Sequence, residues 1–226
     1  LPRSLYGNQL ISTGVVMHYL HGIPMGRLCE QIQVGPGSLV EIFHRLARLF
    51  GKVPAQLIEQ YRLSAVKHAD ETGWRTNGKN GYVWLFATES LSIFQFRKNR
   101  SAEVPKSVFG PNPLSGVLVV DRYAGYNRVP CAIQYCYAHL LREVQDLQKE
   151  FPDSAEIQGF VSTLAPLLSL AMGLRNQSIS DKRFRFQAQK LKAQIVDTVS
   201  LPAKHLGIRR IQDIFREKAD RMYHWA

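Results

Sequence analysis

No stretch of this chain runs unbroken and apolar for the roughly 18 residues that a membrane-spanning helix needs, and no signal-peptide pattern opens it. The expectation is a cytoplasmic protein without a membrane partner. Cysteine is scarce: Cys29, Cys131 and Cys136 are the only three, too irregularly spaced for a disulfide framework or paired zinc knuckles. They read as ordinary thiols in a reducing compartment. Acid is scarce as well, with 18 Asp and Glu against 29 Lys and Arg, a formal charge of +11. A surplus of that size favours a polyanion as partner, DNA, RNA or an anionic membrane. What the chain does have is apolar substance, 45% of 226 residues, enough to fill the core of one large domain or two small ones. It begins at Leu1 without a methionine, inside what reads as structure. A fragment of a longer protein is the expectation.

Residues 9–20, 25–33 and 38–49 carry apolar residues at helical spacing, separated by "HGIP" and "VGPG". Two readings fit this helical segment, taken as residues 1–60. One is a helix-turn-helix with Ser38 as N-cap and Arg45 and Arg48 facing phosphates; the other is a small packing bundle. From residue 65 the period changes. "AVKHADETGWR" and "GYVWLFATES" flank "TNGKNG", whose Asn-Gly pairs signal a hairpin, and "LSIFQFR" completes a meander. "SAEVPKSVFG" is helical in its apolar spacing but carries Pro105, tolerable in a first turn and costly later, and "GVLVVD", 116–121, reads as a strand buried on both faces. After "CAIQYC" the chain turns helical at "HLLREVQDLQKEF". The order is three strands, helix, strand, strand, helix, over a core domain set at 61–152. The rest, 153–226, reads as an extension of three or four helices. Its segment "KRFRFQAQKLK" holds five basic residues and no acid, either a solvated helix face or a DNA-facing surface through Lys182, Arg183 and Arg185.

"HADETGW" places Asp70 and Glu71 side by side inside the first strand, and "GVLVVD" ends on Asp121. With the two strands parallel neighbours, Asp70 and Asp121 come about 5 Å apart. Two such carboxylates repel, and a divalent cation resolves the conflict: hard oxygen ligands suit Mg²⁺ or Mn²⁺, the ions of phosphodiester chemistry. The plainer reading of Asp121 is a cap before "RYAGYN". Glu71 points to the opposite face from Asp70, because side chains alternate along a strand, and is read as a salt-bridge partner.

"HADETGWRTNGKNGYVWLFATES", "GVLVVDRYAGYN" and "YCYAHLLREVQDL", in that order, resemble the transposase domain of the IS66 insertion-sequence family, within the DDE transposases. The resemblance is close over residues 60–150 and fainter in the flanking helices. It implies an α/β fold, a ribonuclease-H-like mixed five-stranded sheet with flanking helices, plus the amino-terminal helices and a carboxy-terminal all-helical extension. By resemblance Asp70 and Asp121 are the first and second catalytic aspartates and hold Mg²⁺ or Mn²⁺. The implied reaction is donor-strand hydrolysis and strand transfer, on element ends and target DNA, by an oligomer. The implied location is the bacterial cytoplasm, nucleoid-associated when bound to DNA. Lys79, Arg122, Tyr123 and Tyr126 are candidate DNA contacts, with solvent-facing turn and strand residues as the alternative. Cys136 and His139 form a near-site Cys-x-x-His signature, read as packing rather than zinc. The family's third carboxylate is expected in an Asn-Asn-x-x-Glu-Arg motif, and no such string occurs before Ala226. Glu143 and Glu217 are the substitutes at hand. Two other functions stay open: a metal-dependent nuclease of the same fold, and a DNA-binding remnant or regulator without catalysis.

Overall fold

The structure, a computed structural model, describes Leu1 and residues 3–226. They form two compact units, Leu1–Glu59 and Gln60–Ala226.

The first unit is helical. Helices α1 (Asn8–Val15), α2 (Met25–Ile32) and α3 (Pro36–Leu49) bury Ile11, Leu28, Leu39, Ile42 and Phe43 in one core. Helix α3 starts earlier than expected. Pro36 sits at its first turn with Gly35 as N-cap, because proline's fixed φ is already helical and its missing N–H is lost to no partner there; Ser38 is therefore inside the helix and caps nothing. Arg48 pairs with Glu41 at 2.9 Å. A fourth helix, α4 (Val53–Leu63), has a weak apolar stripe and buries only Tyr61.

The second unit is built on a mixed sheet of order β3-β2-β1-β4-β5. Strands β1 (Val66–Thr76) and β2 (Lys79–Ala87) form a hairpin whose Asn77-Gly78 turn has φ of 51° and 74°. Positive φ at both central residues gives the turn twist that matches the strands, and Asn-Gly adopts it at least cost. Strand β3 (Ser92–Arg97) adds antiparallel to β2, while β4 (Val117–Val120) runs parallel to β1 and β5 (Ala132–Tyr135) parallel to β4. Helix α5 (Glu103–Phe109) supplies the crossover from β3 to β4, with Pro105 in its first turn.

One face of the sheet is an aromatic core. Ala69, Trp84, Phe86, Leu118 and Val120 are buried there, and Tyr61, Phe109 and Tyr126 close over Trp84 and Phe86 with ring centroids 5.5 to 6.3 Å apart. The strand expected to be buried on both sides is not: Leu118 and Val120 are buried, while Val117 and Val119 are half-buried. β1 departs further, since from Thr72 to Thr76 it is exposed.

Behind the sheet stand α6 (Tyr137–Glu150), α7 (Ala155–Gly173), α8 (Asp181–Ser200) and α9 (Leu206–Glu217). Ser154 and Ser180 cap α7 and α8 through their side-chain oxygens, each satisfying one orphan N–H of a first turn. The spacing read from sequence holds: Phe184, Ala188, Leu191, Ile195 and Val199 are buried on α8, and Ile208, Ile211 and Phe215 on α9. α7 corrects the membrane argument. With its following turn it reaches 22 residues and contains an 18-residue window of mean hydropathy 1.5, long and apolar enough to cross a membrane by length and composition. Its buried stripe of Ile157, Val161, Leu164 and Leu168 instead packs it between α6 and α8. The chain's last turn is tied to the sheet: the Met222 carbonyl accepts from Gln134 Nε2, the Tyr137 hydroxyl and Trp225 Nε1 at 2.7 to 3.1 Å.

Candidate active site

β1 and β4 bring the two aspartates together. Their parallel register pairs His68 with Val119, so two residues further Asp70 stands beside Asp121, the first residue after β4. Strand alternation puts both on the face away from the aromatic core. They line one cavity of about 210 Å³ with His68, Leu85, Cys136 and His139. His139 Nε2 lies 3.9 Å from Asp70 Oδ2, and its Nδ1 is buried with no hydrogen-bond partner among the described residues. Cys136 caps the start of α6, which carries His139 one turn in.

Asp121 is held on both oxygens. Its Oδ1 accepts the Tyr123 N–H at 2.8 Å, the local turn bond that an aspartate after a strand makes, and its Oδ2 stands 3.5 Å from the Arg100 guanidinium. Asp70 is freer, with a side chain 54% exposed. Among the described residues its Oδ1 accepts only the neighbouring Glu71 N–H, at 3.0 Å.

Glu71 turns to the other face, as alternation requires, and is enclosed there. Its side chain is 1% exposed; Arg100 donates to its Oε1 through Nε at 2.7 Å, with Nη2 at 2.6 Å, and the Tyr126 hydroxyl donates to Oε2. Burial pulls the Arg100 pKa down, but the hydrogen bond and charge of Glu71, with the charges of Asp121 and Tyr123, outweigh it and raise it overall. Burial chiefly, then the Glu71 hydrogen bond and the charges of Glu71, Asp121 and Asp70, push the Tyr126 phenol pKa up. Arg100 thus joins the acid on one face to the acid on the other. Sequence reading assigned Glu71 to a salt bridge without finding the partner. The only signal was the basic run "RKNR", which does not point across 29 residues of chain.

The remaining candidates scatter. Lys79 is exposed beside the hairpin turn, and Lys182, Arg183 and Arg185 are exposed on α8. Arg122 is committed to Glu143 at 2.5 Å. Tyr123 carries the Arg100 guanidinium 4.0 Å above its ring and donates its hydroxyl to the Arg100 carbonyl. Tyr126 requires a correction: it is 1% exposed and spends its hydroxyl on Glu71, so it has no surface to offer DNA. Glu143 faces Arg122 and Arg210, and Glu217 lines a separate cavity with Arg122, Arg209 and Arg210. Neither lines the cavity of the aspartates. Among the described residues no three His, Cys, Asp or Glu side chains gather closely enough to hold a metal ion. The donors that do converge, two carboxylates at the mouth of one cavity, fit a hard cation that keeps most of its waters.

A mixed five-stranded sheet of this order with helices packed on it, in which Asp70 within β1 stands beside Asp121 just past the end of the parallel strand β4, is consistent with the ribonuclease-H-like arrangement. The model of the family "Transposase IS66 family" matches residues 3–218. The chain belongs to that family and carries its transposase domain. No curated protein matches it significantly.

Proposed function

We propose that this domain acts on DNA as a metal-dependent transposase, hydrolysing a donor strand and joining the freed 3′-hydroxyl to a target. The observation that carries the reading is the placement of Asp70 beside Asp121 at one cavity. Both steps exchange one oxygen for another at phosphorus. A new P–O bond forms as the bond to the departing oxygen breaks, and no covalent enzyme intermediate is needed. Asp70 and Asp121 would hold Mg²⁺ or Mn²⁺, which supplies positive charge to the phosphoryl oxygens as their charge develops. The chain's own part is to fix that pair. The Tyr123 N–H and Arg100 orient Asp121, and the backbone N–H of Glu71 orients Asp70. The exposed basic residues Lys182, Arg183, Arg185 and Lys79 take the phosphate backbone, and an oligomer assembles on the element ends.

The test is Mn²⁺ binding followed by titration calorimetry or electron paramagnetic resonance, run beside a strand-transfer assay on duplex DNA. Residues 1–226 should bind one Mn²⁺ weakly, and Asp70→Asn or Asp121→Asn should each abolish it. With two carboxylates and no third, turnover should be at least about 10²- to 10³-fold below that of a site with a full set of charge-stabilising groups. Metal binding that survives both substitutions would refute the site. The nuclease reading predicts cleaved but unjoined product, and the regulator reading predicts DNA binding without Mn²⁺ binding.

A further inference from the structure

The face of the sheet that carries Asp70 continues past it, uncovered, along the β1–β2–β3 ribbon. Register places Asp70, Leu85 and Phe94 in one row across the three strands, Thr72, Val83 and Phe96 in the next, and Trp74 opposite Gly81 in the third. Phe94 is 69% exposed, Trp74 55% and Phe96 48%. Three large aromatic side chains on one open face are an unusual expenditure of hydrophobic surface. Gly81 explains how one of them is held. It belongs to the second Asn-Gly pair, which lies inside β2 and makes no turn, and a Cβ there would come 2.5 Å from Phe96 Cζ. The glycine is a hollow in the strand into which the Phe96 ring settles, on the row occupied by Trp74.

The surroundings select the occupant. Lys79 lies on this same face and Lys98 is exposed just beyond β3, while alternation turns Arg75 and Arg97 to the opposite face, where Arg97 donates to Gln95. From Thr72 to Arg100 the only acid is Glu89, in the turn at the opposite end of the ribbon. Aromatic faces set among cations are the surface on which unpaired nucleotides bind: each base stacks on a ring while the backbone follows the positive charge. The ribbon is also continuous with the carboxylates. Phe94 lies two strand spacings, about 10 Å, from Asp70 across the sheet, and Trp74 lies four residues, about 13 Å, along β1. We propose that Trp74, Phe94 and Phe96, with Lys79, form a stacking platform for a single-stranded DNA segment that leads into the Asp70–Asp121 cavity. The proposal deepens the transposase reading and rests on it for its substrate class, DNA whose phosphodiester is brought to these carboxylates.

The experiment uses the full 226-residue chain, a fluorescent oligothymidine and a duplex of the same length, in the presence and absence of Mn²⁺. Phe94→Leu and Phe96→Leu keep an apolar cover over the strands and Gly81 but remove the ring face. Each should weaken oligothymidine binding by about 5- to 100-fold and leave duplex binding within twofold. Trp74→Ala should do the same, and oligothymidine should quench the fluorescence of the wild-type protein but not that of Trp74→Phe. Equal losses for single strand and duplex, or no loss, would overturn the platform. So would a wild-type dimer by sedimentation that Phe94→Leu turns into a monomer, since the face would then be covered by a second copy. Asp70→Asn separates this idea from its parent: loss of Mn²⁺ binding with stacking intact supports both, stacking without any Mn²⁺ binding by wild type removes the transposase reading alone, and Mn²⁺ binding without stacking removes the platform alone.

Discussion

Replacing Arg100 by methionine strands a carboxylate. The Glu71 side chain is 1% exposed and, among the described residues, keeps only the Tyr126 hydroxyl once the guanidinium is gone. Breaking a buried ion pair from one side typically costs about 3–5 kcal/mol, because the remaining charge has lost both its solvent and its partner. Arg100 itself is 40% exposed, so water enters where its side chain was, and screening reduces the cost to roughly 2–3 kcal/mol. In a unit of this size 1 kcal/mol is worth roughly 2–4 °C in Tm, so Arg100→Met should lower the melting temperature of the Gln60–Ala226 unit by about 4–12 °C in a calorimetric or circular-dichroism melt. The diagnostic arm is the double variant Arg100→Met/Glu71→Leu. Removing the stranded acid as well should restore at least half of the loss, because an apolar pair in place of a buried ion pair is close to neutral. Strict additivity, with a coupling below about 0.5 kcal/mol, would refute the claim that Glu71 is held by Arg100 rather than by the fold around it.

Gly116 precedes β4 with φ of 80°, and a Cβ there would come 2.2 Å from the Ala65 carbonyl oxygen; Gly116→Ala should cost about 3 kcal/mol or more through left-handed strain and backbone collision, and an unchanged urea midpoint would contradict this. Lys67, in β1, is fully buried, its ammonium donating to the carbonyls of Ser64 and Ser115, and burial lowers its pKa. The unfolded chain therefore binds that proton more tightly, so stability should rise with pH in the window between the lowered pKa and 10.5. Measured against Lys67→Met, which lacks the group, the wild type should gain across that window, and parallel stability curves would show that the charge is not penalised. Binding to duplex DNA should weaken steeply with salt, and Lys182→Ala/Arg183→Ala/Arg185→Ala should flatten the log–log slope by roughly 1 to 3. An unchanged slope would remove α8 from the DNA surface.

Sequence reached the parts of this fold that depend on periodicity and local turn chemistry. Asn77-Gly78 announces the hairpin, the buried residues of α8 and α9 repeat at helical spacing, and strand alternation separates Glu71 from Asp70. It failed where a residue's role is decided by something far along the chain. Arg100 meets Glu71 across 29 residues, and Lys67 meets Ser115 across 48, pairings that no local pattern encodes. A lysine in a strand is expected at the surface, and a tyrosine after an aspartate looks like a DNA contact until Trp84 and Glu71 enclose Tyr126. The two Asn-Gly pairs look identical in sequence, yet one makes the turn and the other makes room for Phe96. α4 gives little signal in the sequence, because its apolar stripe is weak and its one buried side chain, Tyr61, packs against β2 and α5.

The carbonyl of Met222 sets a timetable for synthesis. Gln134 and Tyr137, at the end of β5 and the start of α6, find their acceptor 88 and 85 residues later. At roughly 5–20 residues per second, the ribosome takes on the order of 4–18 s to supply it after Gln134 is made. Through that interval the side of β5 that receives the last turn stands open, with the buried amide of Gln134 unsatisfied by its eventual partner. A nascent chain with an open strand is a target for wrong pairing. Pausing during synthesis of α7 and α8 should therefore raise aggregation far more than a pause of equal length after Met222.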